Sequence, residues 1–254
     1  MNPVILADNR FSDGTPTATD TAAGYSVLNI RDLKTFTAWR AASSGTKYLS
    51  TGDLGAAMSA DAIGIQTHNL GTAAAQISVE SSANGSDWTE RLAAFSPTTD
   101  KAILKPFTIT SAQYWRVKVV TGSLAAQIAV CLLGVRITFP VPPEGPYVPA
   151  SEGIESDSAI SKTGVLLGTV VRYRPVKISP SWKYLTRAWI ETYMVPFWDS
   201  YASSLAPFIW AWDLDAYPDD VRFVRMDDGY QFAPSVSVLG YYDEFRLSMV
   251  GVKE

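Results

Sequence analysis

The sequence predicts a mainly β protein with one or two helices: an N-terminal, jelly-roll-like β-sandwich followed by a C-terminal α+β module. Three observations predict this. Before residue 140 the chain runs in short alternating segments separated by Gly, Asn, Ser and Asp, the pattern of half-buried strands and tight turns. From Phe139 to Gly164 (FPVPPEGPYVPASEGIESDSAISKTG) five prolines precede a polar, acidic run, which reads as a linker. The stretch Ser181–Asp215 then gathers five of the eight tryptophans, in helical spacing first and strand spacing afterwards. The expected boundaries are 1–140 for the sandwich, 141–164 for the Pro-rich linker and 165–254 for the α+β module.

Composition limits the function. The chain has 254 residues, 47% apolar and 18% charged, enough for two globular cores. A net charge of −4 without a basic run lacks the electrostatic footprint of a nucleic-acid binder, so no specific nucleic-acid binding is expected. The acidic excess falls after residue 140, where 15 acidic side chains face 10 basic ones, against 10 and 11 before it. The longest apolar run, Leu124–Val135, is too short to cross a bilayer, and no membrane insertion is expected. MNPVILADNR lacks the succession of a signal peptide, and a lone Cys131 permits no internal disulfide; both suit a chain starting near its Met in a reducing compartment.

Within the first part, Ile63, Ile65 and Thr67 alternate in IGIQT, and Ile77 and Val79 in AQISVES. In YWRVKVV, Trp115, Val117 and Val119 should face inward and Arg116 and Lys118 outward. QIAVCLLGV is apolar on both faces, which implies a central or covered strand, with a bulge expected at Gly134. No sustained helical period precedes residue 140.

In the second part GTVVRYRPVKI reads as a strand broken at Pro175. Thr186 is the expected N-cap of a helix whose bulky face carries Trp189, Tyr193, Phe197 and Tyr201 with Ile190, Met194 and Trp198 beside them, and Pro196 should kink it or start a second helix. Strands follow at Phe208–Trp212 and Val221–Met226, then a hairpin turn at Asp227-Asp228-Gly229, and strands over Tyr230–Leu239 and Tyr241–Val252.

Two resemblances become visible on these residues. Trp39-Arg40, Asn84-Gly85-Ser86-Asp87-Trp88 and Tyr114-Trp115-Arg116, in that succession over residues 1–140, resemble the discoidin-like, galactose-binding-like sandwich family. That scaffold hosts glycan, lipid and protein binding alike. Over 165–254, the order of helix, PFIW, acidic turn, FVR, DDGY and a closing strand ending in MVGV resembles the tail-tube-like fold of phage tail-tip and distal-tail components. This second resemblance implies a protomer whose sheet joins its neighbours in a ring. The usual members carry the sugar-binding-like domain after the ring domain, whereas here the sandwich comes first.

Chemistry-bearing groups are sparse. His68 is the only histidine, which leaves multi-imidazole metal sites and most His-dependent acid–base schemes without material. Cys131 sits in an apolar run without basic neighbours and reads as core filler. DLDAYPDD (213–220) superficially suggests a calcium loop, but Pro218 and Val224 occupy the positions that need Gly and a bidentate Glu. No catalytic residue, metal or cofactor is expected; a hydrolase working through Asp215 is the remote alternative. The sandwich residues suited to stacking on a sugar are Trp39, Tyr48, His68 and Trp88.

The expected function is a structural component of a phage tail tip or baseplate, made in the host cytoplasm and residing in the virion. Its partners would be copies of itself in a threefold or sixfold ring and other tail-tip proteins. Nine of the twelve tyrosines (counting Tyr147 in the linker) and five tryptophans lie after residue 140, more aromatic surface than so small a module should hide alone, so Trp189, Trp198, Trp210, Trp212 and Tyr241 are expected at subunit interfaces. Asp213, Asp215, Asp219 and Asp220 would then face a lumen and repel DNA. The alternative is a carbohydrate-binding module that recognises a surface glycan.

Overall fold

The computed structural model describes residues 2–236 and 241–252. It is mainly β with short helices, and it divides into two compact units. One comprises Val4–Thr138 with Ile209–Val221; the other comprises Met1–Pro3, Phe139–Phe208 and Arg222–Glu254. The sequence reading kept residues 165–254 together. The structure gives Ile209–Val221 to the first unit because Ile209, Trp210 and Ala211 pair with Leu6, Ile5 and Val4.

The first unit is a two-sheet sandwich. One sheet has the order Trp39–Arg40, Gln127–Gly134, Met58–His68, Ile103–Ala112. The other runs Thr17–Ala18, Gly45–Ser50, Tyr114–Thr121, Gln76–Ser82, Thr89–Phe95. Between them Ile63, Ile65, Ile128, Cys131 and Leu133 from one sheet meet Leu49, Ile77, Val79, Trp115, Val117 and Val119 from the other. The inward and outward alternation of 115–119 is as the sequence predicts. Trp115 closes one end by donating its Nε1–H to the carbonyls of Met58 (3.2 Å) and Ala112 (3.1 Å).

Gln127–Gly134 is central, and nearly all of it is buried. Its neighbour Met58–His68 explains how a second face is covered: a Cβ on Gly64 would run into Ile209 Cδ1 and Leu6 Cδ2. The small ladder of Ile137–Thr138, Val4–Leu6 and residues 209–211 thus supplies a lid on that side. Gly134 is not a bulge. A Cβ there would lie 2.5 Å from the Asp8 carbonyl oxygen, so close backbone approach is what its small size serves. The helical segments before residue 140 are brief, an α turn at Arg10–Asp13 and a 3₁₀ turn at Val27–Arg31.

In the second unit, one antiparallel set runs Val221–Met226, Met249–Val252, Pro175–Ile178, Ser151–Glu152. A second set pairs Tyr241–Arg246 with Ser181–Trp182, Leu185–Thr186 and Ser235–Val236. Thr186 caps the helical segment as expected, accepting from Trp189 N at 3.3 Å. A π turn spans Ile190–Met194, and Pro196 sits in the first turn of a new α-helix, Val195–Ser200. The buried side chains are Ile190, Met194 and Phe197, whereas Tyr193 is exposed. Of the expected bulky face, the column Ile190, Met194 and Phe197 is the one buried, while Trp189 beside it is half-buried.

Asp227–Tyr230 is a turn, closed by Tyr230 N donating to Asp227 O at 3.1 Å, with Gly229 at φ +79°. Among the described residues it does not join a hairpin: Val221–Met226 pairs with Met249–Val252, and between Tyr230 and Val236 the only strand is Ser235–Val236. The expected strand over Tyr230–Leu239 ends outside the described residues.

The segment 141–164, expected to be a linker, carries strands. Glu155–Ile160 and Leu166–Tyr173 form a separate two-stranded hairpin, tipped by a turn with Gly164 at φ +82°. Every residue of both strands is exposed. β-branched residues (Thr169, Val170, Val171) favour the second strand, and among the described residues neither face of the hairpin is covered.

Candidate functional site

Outward-facing residues on the five-stranded sheet build the site. In the registers Ser50↔Arg116 and Glu80↔Arg116, Arg116 lies at the centre of three adjacent strands. Its Nε donates to Glu80 Oε2 at 2.5 Å, which fixes the guanidinium plane. Tyr48 stands with its ring centroid 4.1 Å from Arg116 Cζ, and Trp88 with its centroid 4.0 Å away. One guanidinium therefore holds two aromatic rings in place, each contact at cation–π distance.

Trp88 reaches this position because the turn before it is tightly specified. Asn84 Oδ1 accepts from Ser86 N and Asp87 N, both at 2.9 Å, and Ser82 Oγ accepts from Asn84 N and Gly85 N. Gly85 adopts φ +75°, a conformation glycine takes freely. Tyr114 borders the same turn, its ring 3.4 Å from where a Gly85 Cβ would be. Its hydroxyl donates to Asp53 Oδ2 at 2.9 Å, which raises the Tyr114 pKa. Hydrogen bonds from Gln113, the Gly55 amide and Tyr114 hold the Asp53 carboxyl below its usual range.

Tyr48 and Trp88 are half-buried, with part of each ring open to solvent. The two Nη groups of Arg116 make no protein hydrogen bond among the described residues, so they stand as donors beside two apolar ring surfaces. Such a surface can stack a flat apolar ligand face and bond its hydroxyl or carboxylate groups.

The other two sugar candidates do not join it. Trp39 is fully buried and donates Nε1–H to Asp20 O (3.1 Å) and Thr21 Oγ1 (3.2 Å), so it packs the sandwich. His68 is buried: its Nδ1 accepts from Leu70 N at 3.1 Å, which leaves the proton on Nε2, 2.8 Å from Lys101 O. Both read as stacking residues because sequence gives ring type but not facing. Arg116, Glu80 and Tyr114 were missed as site residues, and their outward, cross-strand positions were the available signal.

The interface and lumen candidates also move. Trp210 is 1% exposed. Trp189 packs on Phe139 (4.9 Å) and Tyr193 (5.6 Å), and Trp198 stacks on Phe232 (5.5 Å). Trp212 stacks on Tyr217 and donates to Asp220 Oδ2 at 2.8 Å. Trp189, Trp198 and Trp212 thus find aromatic or hydrogen-bonding partners inside the chain while staying half-buried, whereas Trp210 has no surface left to offer a neighbour. The side chain of Tyr241 lies outside the described residues. Asp213 is 2% exposed and accepts from the amides of Asp215 and Ala216, so it cannot line a lumen. Asp215 is exposed, and Asp219 borders a cleft of about 270 Å³ in the first unit that also presents Phe95, Lys101 and Lys105.

The fold and site define a class: a β-sandwich displaying an aromatic–guanidinium platform on one outer sheet face. The sequence matches no protein-family profile and no curated protein. Solved structures similar to the chain include a pectin-binding carbohydrate-binding module, 21% identical with a TM-score of 0.40, covering 47% of this chain and 88% of that one. Another is chitosan-binding module 1 from a chitosanase/glucanase of Paenibacillus sp. IK-5, 20% identical with a TM-score of 0.41, covering 49% and 97%. A third is the CBM32 of AlyQ in complex with 4,5-unsaturated mannuronic acid, 24% identical with a TM-score of 0.39, covering 47% and 92%.

Proposed function

We propose that the sandwich unit is a carbohydrate-binding module whose contact surface is the Tyr48–Arg116–Trp88 platform. The observation that carries this reading is the pinning of two partly open aromatic rings on one guanidinium, itself oriented by Glu80. A pyranose has an apolar face that stacks on such rings and hydroxyls that accept from the Nη groups. Because the rings are already fixed, little side-chain entropy is lost on binding. The role is recognition, and no bond-breaking step is assigned to it.

Titration of surface polysaccharides identified on a glycan array tests this. Trp88→Ala and Tyr48→Ala should each weaken binding about tenfold or more, the effect of losing a central aromatic contact, with the melting temperature retained. A flat array, or binding indifferent to both substitutions, overturns it.

A second reading is favoured by a different observation, the fully exposed hairpin 155–173. In this reading the chain is a structural component of a phage tail tip that assembles into a ring or collar with other tail-tip proteins, the sandwich being its accessory module. An element with apolar side chains and no core of its own supports an assembly subunit. Mass spectrometry of purified phage particles should find the chain; its absence from particles removes this reading.

A further inference from the structure

We propose that the hairpin arm of Glu155–Ile160 and Leu166–Tyr173 binds a second copy of this chain edge to edge, the acidic strand of one arm pairing with the basic strand of the next. The inference deepens the assembly reading, on which it rests for its biological setting only, and is independent of glycan binding.

A hairpin of two strands is at best marginally stable in water and needs a third strand or a packed face. This one has neither among the described residues. Val170 shares a face with Asp157, and Val171 shares the opposite face with Ser156, so apolar side chains emerge on both sides. Leu167 is 68% exposed and Val170 69%. Ile160, Leu166, Val171 and Tyr173 are exposed as well, so both faces of the arm carry uncovered apolar side chains. Among the described residues no strand pairs with either outer edge, which leaves backbone donors and acceptors as a template for strand addition.

Charge selects the occupant. The first strand carries Glu155 and Asp157 and no base; the second carries Arg172 and no acid, with Arg174 next along the chain. Within one arm, Arg172 already bonds Asp157 (Nε to Oδ2, 2.6 Å), which shows that the two strands suit each other across a ladder. Setting the second strand of a neighbour against the first strand of this arm repeats that pairing of bases with acids. Like-strand pairing would place acids beside acids. The contact is therefore head-to-tail, the kind that closes into a ring or extends as a filament.

The test uses the full chain, with oligomeric state followed against concentration by sedimentation velocity. Association should appear, and the triple variant Leu167→Glu, Val170→Glu, Val171→Glu should raise the dissociation constant at least about tenfold. These positions are exposed, so an unchanged melting curve confirms the fold. The pair Glu155→Arg, Asp157→Arg should weaken association, as should the pair Arg172→Glu, Arg174→Glu. Mixing the two charge variants should restore it, because each then supplies the edge the other lacks.

A wild type that stays monomeric at every concentration, association indifferent to the arm substitutions, or mixing without rescue would each overturn the proposal. So would a wild type that remains monomeric but sediments with phosphatidylcholine vesicles, which would make lipid the occupant. Self-association without incorporation into phage particles would uphold the proposal while removing the virion reading.

Discussion

Replacing Trp182 with alanine asks whether the aromatic interior of the second unit exists in a single chain. Trp182 is 1% exposed, stacks on Phe139 with centroids 4.1 Å apart and planes 7° from parallel, and leans on Phe245 at 5.9 Å. Its Nε1–H donates to Val141 O at 3.2 Å. Truncating a buried Trp costs about 3–5 kcal/mol through lost transfer energy and the cavity left behind. The parallel stack and the orphaned carbonyl favour the upper half of that range. For a domain of this size, about 4 kcal/mol corresponds to a drop of more than ~15 °C in melting temperature. The assay is guanidinium and thermal unfolding of dilute, monomeric protein followed by circular dichroism. Two compact units permit two transitions, and the sandwich transition serves as the internal control. A loss below about 1 kcal/mol in the monomer would refute the reasoning, because a core that costs so little to empty is not packed in the single chain.

Two further outcomes follow from buried ionisable groups. Burial raises the Asp61 carboxyl above its ordinary value, with the Arg136 amide (2.8 Å) and guanidinium opposing the shift only in part. Between the ordinary value and the raised one, the folded state binds more protons than the unfolded, so stability falls as pH rises through that window. Asp61→Asn removes the slope: unfolding measured against pH should show the wild type losing ground to the variant on going from acid to neutral pH, and a flat or opposite difference counts against it. Burial pushes the Cys131 thiol up to about 12, so iodoacetamide at neutral pH should leave the folded chain unlabelled and modify it on unfolding; rapid labelling of the native protein would contradict that burial.

Local patterns were legible wherever one residue's neighbours along the chain decide the outcome. Trp115, Val117 and Val119 alternate inward, Thr186 caps, and Pro196 restarts a helix because periodicity, a hydroxyl or a ring acts within a few residues. Val221–Met226 was readable as a strand but not its partner, since the preceding residues and the turn at Asp227 say nothing of Met249–Val252 arriving alongside. Facing was also illegible for single aromatics: Trp39 and Trp88 are chemically alike, yet a carbonyl from Asp20 keeps one inside while the Asn84 turn swings the other over Arg116. The stretch 141–164 read as a linker because composition reports the absence of a core, and the hairpin whose first strand lies in it has none among the described residues.

The pairing of Val4–Leu6 with residues 209–211 sets an order of events during synthesis. About 200 residues separate the two partners, so at ~5–20 residues per second the first strand leaves the ribosome roughly 10–40 s before its mate exists. Until then one flank of that early strand is bare, and so are the apolar atoms around Gly64 that Ile209 will later cover. A fragment ending near residue 140 would keep that flank open permanently, making it sticky and poorly soluble however well its two main sheets form.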